Sequence, residues 1–248
     1  MKLALLGSSG RMGSTVHRLA PSANHEIVAS FDIDTKPAGS TLREALEPAD
    51  VVIDFTHPDG VLQNIEDVAK AGLPMVVGTT GWYDALDQVR GIVDRHGTGL
   101  VWGANFSIGA LLLMRLTEQA AAFLDRFPEY DPFVIEHHHR GKRDAPSGTA
   151  KRLAEKIVGS LARKHRVVEG NPDEKIPPDA LHVSSVRAGE AFGTHTVGFD
   201  HAAETLEMTH TARGRDGFAL GALYAAELIQ HRTGMYEFSE LFEQALQS

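Results

Sequence analysis

The sequence predicts an α/β protein in two parts: a doubly wound parallel sheet, then an α+β domain whose sheet is mixed and largely antiparallel. Three observations predict it. Over the first hundred residues, short apolar runs alternate with helical patterns, the order that repeated β–α units produce. A glycine-rich loop joins the first run to the first helix. Beyond residue 107 the pattern becomes one long amphipathic helix followed by strand-period alternation.

Taken in order, residues 2–6 are a short apolar run suited to a strand buried on both faces. The loop Gly7-Ser8-Ser9-Gly10-Arg11-Met12-Gly13 then opens a helix over about 12–20. Residues 26–31 read as a second strand ending at Asp32, 42–46 as a short helix and 49–55 as a third strand. His57-Pro58-Asp59 punctuates the turn into a helix over 61–71. Residues 73–77 are a fourth strand ending in Gly78-Thr79-Thr80-Gly81, 83–95 a helix and 99–102 a fifth strand. In the second part, 108–127 is a long helix, 132–137 a strand, and 147–165 a helix with Ser147 or Asp144 as its cap. Residues 170–179, rich in proline and charge, read as a surface loop. Residues 183–187, 195–199 and 205–211 alternate like antiparallel strands, and the chain is helical again from about 218. The expected domains are 1–107 and 108–214, with 215–248 returning to the first.

Composition narrows the function. The net charge of −9 argues against general nucleic-acid binding, which needs a basic face. There are no cysteines, so disulfides, thiolate catalysis and zinc–thiolate sites are excluded, and a cytoplasmic setting is expected. The N-terminal apolar run is too short for a signal peptide, and no run has membrane-spanning length.

Two motifs carry chemistry. Gly7, Gly10 and Gly13 follow a strand and open a helix, the context in which a backbone loop cradles a dinucleotide pyrophosphate. The spacing differs from G-x-G-x-x-G, because Ser8 and Ser9 separate the first two glycines. Asp32 ends the second strand where a Rossmann-type fold places an acid on the ribose hydroxyls. A carboxylate there accepts from the 2′-hydroxyl of NADH and repels the 2′-phosphate of NADPH. Ile33 and Asp34 follow, so no arginine is adjacent, although Arg11 and Lys36 remain in reach. NADH is favoured and NADPH stays open. Gly78-Thr79-Thr80 and Ala104-Asn105-Phe106 lie at strand C-terminal ends, where such sheets bind ligands; plain strand-end loops have the same composition.

The second motif runs Glu136-His137-His138-His139-Arg140-Gly141-Lys142-Arg143-Asp144-Ala145-Pro146-Ser147-Gly148-Thr149. Imidazoles transfer protons near neutral pH, an ammonium donates a proton or holds a carboxylate, and the N–H groups at a helix start favour anions. The competing readings are a metal site and a solvated basic patch. Consecutive strand histidines alternate faces, so at most His137 and His139 share one, and no metal is expected.

This second motif is similar to the signature of the 4-hydroxy-tetrahydrodipicolinate reductase family of the diaminopimelate route to lysine. The resemblance runs nearly end to end, through Gly7–Gly13, Val77-Gly78-Thr79-Thr80-Gly81, Ala104-Asn105-Phe106-Ser107-Ile108-Gly109, Val186-Arg187-Ala188-Gly189 with Gly193-Thr194-His195, and the Glu207, His210, Arg215, Phe218-Ala219 run. His137 departs from it, since a small or apolar residue is typical there. The resemblance implies NAD(P)H-dependent reduction of a cyclic dicarboxylate, with water lost. His138 is implied as proton donor or acceptor, Lys142 as proton donor, His139 as a substrate contact, and Gly148 with Thr149 as carboxylate binders helped by Ser147. Gly7, Ser8, Ser9, Gly10, Arg11 and Met12 would hold the pyrophosphate and Asp32 the adenosine ribose. Gly78, Thr79 and Thr80 with Ala104, Asn105 and Phe106 would hold the nicotinamide end. A homotetramer built through the second domain's sheet and closure of the two domains are also implied. The alternatives are another NAD(P)-dependent amino-acid-pathway dehydrogenase on the same fold and a non-catalytic nucleotide sensor; intact His138 and Lys142 argue against the sensor.

Overall fold

Strand β1 (Lys2–Leu6) has four of its five residues buried, as a central parallel strand covered on both faces must. The same logic holds for β3 (Val51–Asp54) and β4 (Met75–Val77), buried throughout. In this computed structural model, residues 1–32, 34–37 and 40–247 are described, with the side chains of all of them except Ser40 and Thr41; Ile33, read above as a neighbour of Asp32, lies outside them. The chain divides into two units, Met1–Ser107 with Arg215–Ser248, and Ile108–Gly214.

In the first unit β1, β3 and β4 join β2 (Glu26–Phe31), β5 (Gly99–Trp102) and β11 (Gly234–Glu237) in the order β11-β5-β4-β3-β1-β2, all parallel. The order reverses between β1 and β3. That is the switch point at which open α/β sheets bind ligands beyond the strand C-termini. Helices α1 (Arg11–Leu19), α2 (Ser40–Leu46), α3 (Pro58–Lys70) and α4 (Leu86–His96) make the connections. Pro58 occupies the first turn of α3, and Gly97, with φ +62°, ends α4 in the left-handed conformation. The expected helix over 83–95 starts instead with a separate short 3₁₀ turn at Tyr83–Ala85. Helices α7 (Asp216–Ile229) and α8 (Phe238–Ala245) complete the unit, α7 packing on α1 and across β3, β4 and β5.

Strand β11 corrects the expectation of helix from about 218 onward. It pairs along β5, Gly234 opposite Gly99 through Glu237 opposite Trp102. Four residues at a sheet edge are too few to carry a readable period.

The second unit has α5 (Ile108–Leu124), β6 (Asp131–His138), α6 (Gly148–Ser160), β7 (Arg166–Glu169), β8 (Ala180–Arg187), β9 (Gly193–His201) and β10 (Glu204–Ala212). Its sheet runs β10-β9-β6-β8-β7 and is mixed. The expectation of a largely antiparallel sheet is met only by β6–β9 and β9–β10; β8 lies parallel to both β6 and β7. Period-two alternation fixes which face a residue takes, not which way its strand runs. The helix expected to reach 165 stops at Ser160, because α6 serves as the crossover from β6 to the parallel β7. Along β6, Val134, Glu136 and His138 are buried, while Phe133, Ile135 and His137 alternate to the other face. Among the described residues no helix is long and apolar enough to cross a membrane.

Lys164 fastens this sheet. It is buried, and its ammonium donates to Asp131 Oδ1 at 2.5 Å, the Pro178 carbonyl at 2.9 Å and the Ala180 carbonyl at 2.8 Å, which uses all three protons. Lys164→Met strands two carbonyls without their donor. It is expected to lower stability by about 2–4 kcal/mol in urea unfolding followed by circular dichroism; an unchanged midpoint would contradict this.

Candidate active site

In the second unit the motif loop leaves β6 at His138 and is pinned to the β8–β9 connection. The Ala188 N–H donates to the His138 carbonyl, and the His139 N–H to the Ala191 carbonyl. His139 therefore lies beyond the strand, so the face it was expected to share with His137 does not arise. His137 Nε2 instead meets the Ala188 carbonyl at 3.0 Å.

Glu136 and His138 share the buried face, two residues apart. Nδ1 of His138 forms a short hydrogen bond with Glu136 Oε2. The other carboxylate oxygen accepts from Arg187 Nη2 at 2.6 Å and from the Ser147 N–H at 3.2 Å. Arg187 Nη2 also donates to the Asp144 carbonyl at 2.6 Å. The Lys142 ammonium sits 2.9 Å from Asp144 Oδ1 in the same turn. Ser147 caps α6: its Oγ accepts from the Ala150 N–H at 3.2 Å and lies 3.1 Å from His195 Nε2. The Ser147 N–H is thus taken by Glu136. Gly148 is exposed and a Cβ there would meet nothing within 4 Å. Gly193 has φ +149°, and a Cβ on it would lie 2.7 Å from His138 Nε2.

Burial alone would raise the Glu136 carboxyl, but Arg187, the Ser185 hydroxyl and His138 outweigh it and hold the group below the usual carboxylate range. Burial lowers His138, the hydrogen bond and charge of Glu136 oppose it, and Lys142 and Arg187 add to the lowering, so the balance favours the uncharged imidazole. Burial and the neighbouring His138 push His195 down to about 4. Glu136, His138 and His195 bring one donor atom each within 4.8 Å of one another, spacing a metal ion can use, yet the glutamate oxygens are already taken by Arg187, Ser147 and His138.

In the first unit the glycine loop is built for close approach. A Cβ on Gly7 would sit 2.4 Å from the Phe55 carbonyl oxygen, and one on Gly13 would sit 2.0 Å from the Gly7 carbonyl oxygen. No side chain caps α1 at Gly10, the kind of helix start that suits an anion. Asp32 accepts from Ser8 Oγ at 2.9 Å and the Ser9 N–H at 3.1 Å; burial would raise this carboxyl, but those bonds hold it below the usual carboxylate range. Arg11 is exposed and Met12 half-buried. Lys36 is committed to Asn64 Oδ1 at 2.7 Å and Asp67 Oδ2 at 2.8 Å.

The two strand-end loops use their side chains inward. Thr79 Oγ1 donates to Asp54 Oδ1 at 2.6 Å, and its carbonyl accepts from the Trp82 indole at 2.7 Å. Gly78 leaves room for the Phe55 ring, which a Cβ would enter at 2.0 Å. Phe106 is buried and stacks on Phe238, centroids 4.8 Å apart. Asn105 Oδ1 accepts from the Ser107 N–H at 2.8 Å. Thr80 and Ala104 are exposed. The side chains of Thr79 and Phe106 are thus spent within the fold.

Three residues of the histidine cluster were given no role by sequence reasoning: Glu136, Arg187 and His195. Period-two spacing from His138 was the available signal for Glu136. Arg187 and His195 stand inside family-like motifs, but only the strand pairing of β6 with β8 and β9 brings them to His138.

His195 has a pH consequence. Its folded value of about 4 lies below the ordinary 6.5, so the unfolded chain binds the proton first as pH falls. Stability is then level above about pH 6.5 and declines toward pH 4, by roughly 2 kcal/mol between about pH 7.5 and pH 5 for this group. Urea midpoints at those two pH values should differ less for His195→Gln than for the parent; equal differences would remove His195 as the cause.

Residues 1–106 match the family described as "Dihydrodipicolinate reductase, N-terminus" and residues 109–242 its C-terminus counterpart. The 4-hydroxy-tetrahydrodipicolinate reductase of Christiangramia forsetii is 33% identical over 97% of each chain. That of Herminiimonas arsenicoxydans is 34% identical over 97% of each. Among solved structures, dipicolinate-bound dihydrodipicolinate reductase from Paenisporosarcina sp. TG-14 superposes with TM-score 0.78 at 25% identity, over 97% of this chain and 98% of that one. The DAP dehydrogenase of C. glutamicum, at TM-score 0.55 and 14% identity over 97% of this chain and 93% of that one, shares the fold. The chain thus belongs to the dihydrodipicolinate reductases, NAD(P)H-dependent oxidoreductases that reduce 4-hydroxy-tetrahydrodipicolinate on the diaminopimelate route to lysine.

Proposed function

We propose a division of labour for this reduction: the first unit holds the dinucleotide, NADH by preference, and the second holds the dicarboxylate and moves the proton. The observation that carries it is the clustering, along one stretch of chain, of His138 backed by Glu136, the Lys142–Asp144 pair and the start of α6. A dianionic substrate needs fixed cations and helix-end donors even on an acidic protein.

In this reading His138 and Lys142 are the proton-transfer groups and His139 contacts the substrate. The N–H groups of Gly148 and Thr149 receive a carboxylate, with Ser147 fixing the helix start beneath them. Bound nicotinamide supplies the hydride. Gly7, Ser8, Ser9, Gly10, Arg11 and Met12 hold the pyrophosphate, and Asp32 accepts from the ribose. The backbones of Gly78, Thr79, Thr80, Ala104, Asn105 and Phe106 line the nicotinamide end. The preference for NADH is supported by the Asp32 carboxylate and by Lys36, whose ammonium is spent on Asn64 and Asp67. We also assign the enzyme to the cytoplasm, as a homotetramer through the second unit's sheet. In support, that sheet carries exposed Ile135 and Val186 on one face and ends in the unpaired edge of β10.

The test follows nicotinamide absorbance with substrate made in situ by a dihydrodipicolinate synthase from pyruvate and aspartate semialdehyde. His138→Gln and Lys142→Ala should each lose roughly 10²–10⁴-fold in turnover while NADH still binds. Loss of NADH binding in both would sink the roles given them. Asp32→Ala should weaken NADH more than NADPH; an unchanged ratio of kcat/KM values would remove the ribose role.

A further inference from the structure

We propose that Glu136 is a positioning residue that sets the tautomer of His138, holding the proton on Nδ1 so that Nε2 keeps the lone pair. The inference rests on the proton-transfer role of His138 and names the residue that tunes it.

The argument starts from cost. Glu136 has no solvent exposure, and a carboxylate is left in such a place only when its charge is answered. Arg187 answers it. The guanidinium has donors only, and so has the Ser147 N–H; both spend a proton on Oε1. That leaves Oε2 for the ring of His138. An ionised carboxylate accepts only, so Nδ1 must carry the proton, and in a neutral imidazole Nε2 then has the lone pair. Gly193 lets β9 pass close to that nitrogen, since a Cβ there would lie 2.7 Å from Nε2. Lys142 and Arg187 are the cations near the ring, and His195 meets it edge-on with centroids 5.1 Å apart. Arg187 also holds the Asp144 carbonyl, so the same guanidinium that orients the carboxylate anchors the turn bearing Lys142.

The substitution Glu136→Gln makes the proposal sharp. The amide has the same shape but two chemically different ends. Arg187 and Ser147 can only donate, so they select its carbonyl oxygen. Its NH₂ group then faces His138 and must donate to Nδ1. The tautomer is reversed: Nε2 now carries the proton, with the packing conserved. A residue kept for packing alone would show no such reversal.

The experiment is imidazole nitrogen NMR on histidine-labelled protein, with the His138 signals identified by their loss in His138→Gln, alongside steady-state turnover. In the parent, Nδ1 of His138 should be the protonated nitrogen; a proton found on Nε2 overturns the proposal without any variant having to fold. In Glu136→Gln the proton should move to Nε2 and kcat should fall roughly 10²-fold or more, with NADH affinity within about twofold of the parent. A variant that keeps the Nδ1–H tautomer, or that keeps kcat with the tautomer reversed, overturns it. Full turnover in His138→Gln would instead overturn the underlying role of His138, a result the Glu136 spectra cannot produce.

Discussion

The buried contact of Glu136 with Arg187 and His138 is the constraint on which the second unit's site depends. Each partner comes from a different place in the chain, and each fixes something else. Arg187 ends β8, His138 ends β6, and the Ser147 N–H begins α6. One carboxylate thus sets where the central strand stops, how the loop over 139–147 turns, and where the helix starts. Such pairs contribute little net stability, since desolvation offsets much of the attraction, and apolar replacements of similar volume often fold as well. Removing one member is far worse, because it leaves a buried charge unanswered. A cluster of this kind is better understood as serving chemistry than stability.

The first unit has a matching device at the end of β3. The Asp54 carboxylate is fully buried and accepts from the Thr56 N–H at 2.9 Å, Thr56 Oγ1 at 2.8 Å, Asn64 Nδ2 at 2.7 Å and Thr79 Oγ1 at 2.6 Å. It ties the loop after β3 to the loop after β4. The intervening Phe55 offers its carbonyl to the space Gly7 leaves open and its ring to the space Gly78 leaves open. Both units therefore do the same physical thing: hydrogen-bonded carboxylates beneath strand ends fix the loops that follow them.

Legibility in the sequence followed the range of the interaction. The glycine loop was readable because much of its requirement is local: Gly7 takes φ +81°, and a Cβ on Gly13 would collide with the Gly7 carbonyl. The β–α alternation of the first unit was readable because fully buried strands are apolar throughout. His138 and Lys142 lie four residues apart in one unusual string and needed no tertiary contact to be noticed. Arg187 was invisible as a site residue, because it reaches Glu136 across 51 positions of sequence. The direction of β8 failed for a related reason, since alternation is the same in parallel and antiparallel strands. Thr79 and Phe106 were placed correctly at strand ends, but which way their side chains turn was decided by Asp54 and Phe238.

By itself, then, the sequence determined the fold class of the first unit, the glycine loop after β1, the acid at Asp32 and the histidine–lysine string after β6. These are properties of periodicity and of backbone sterics within a few residues. Only the tertiary structure decided that Glu136 is the partner of His138, that Ser147 serves as scaffold beneath the α6 start, and that β7 and β11 extend the two sheets. Hydrogen bonds between strands act at a distance along the chain that no local pattern encodes, and a buried carboxylate takes its meaning from whichever donors the fold delivers to it.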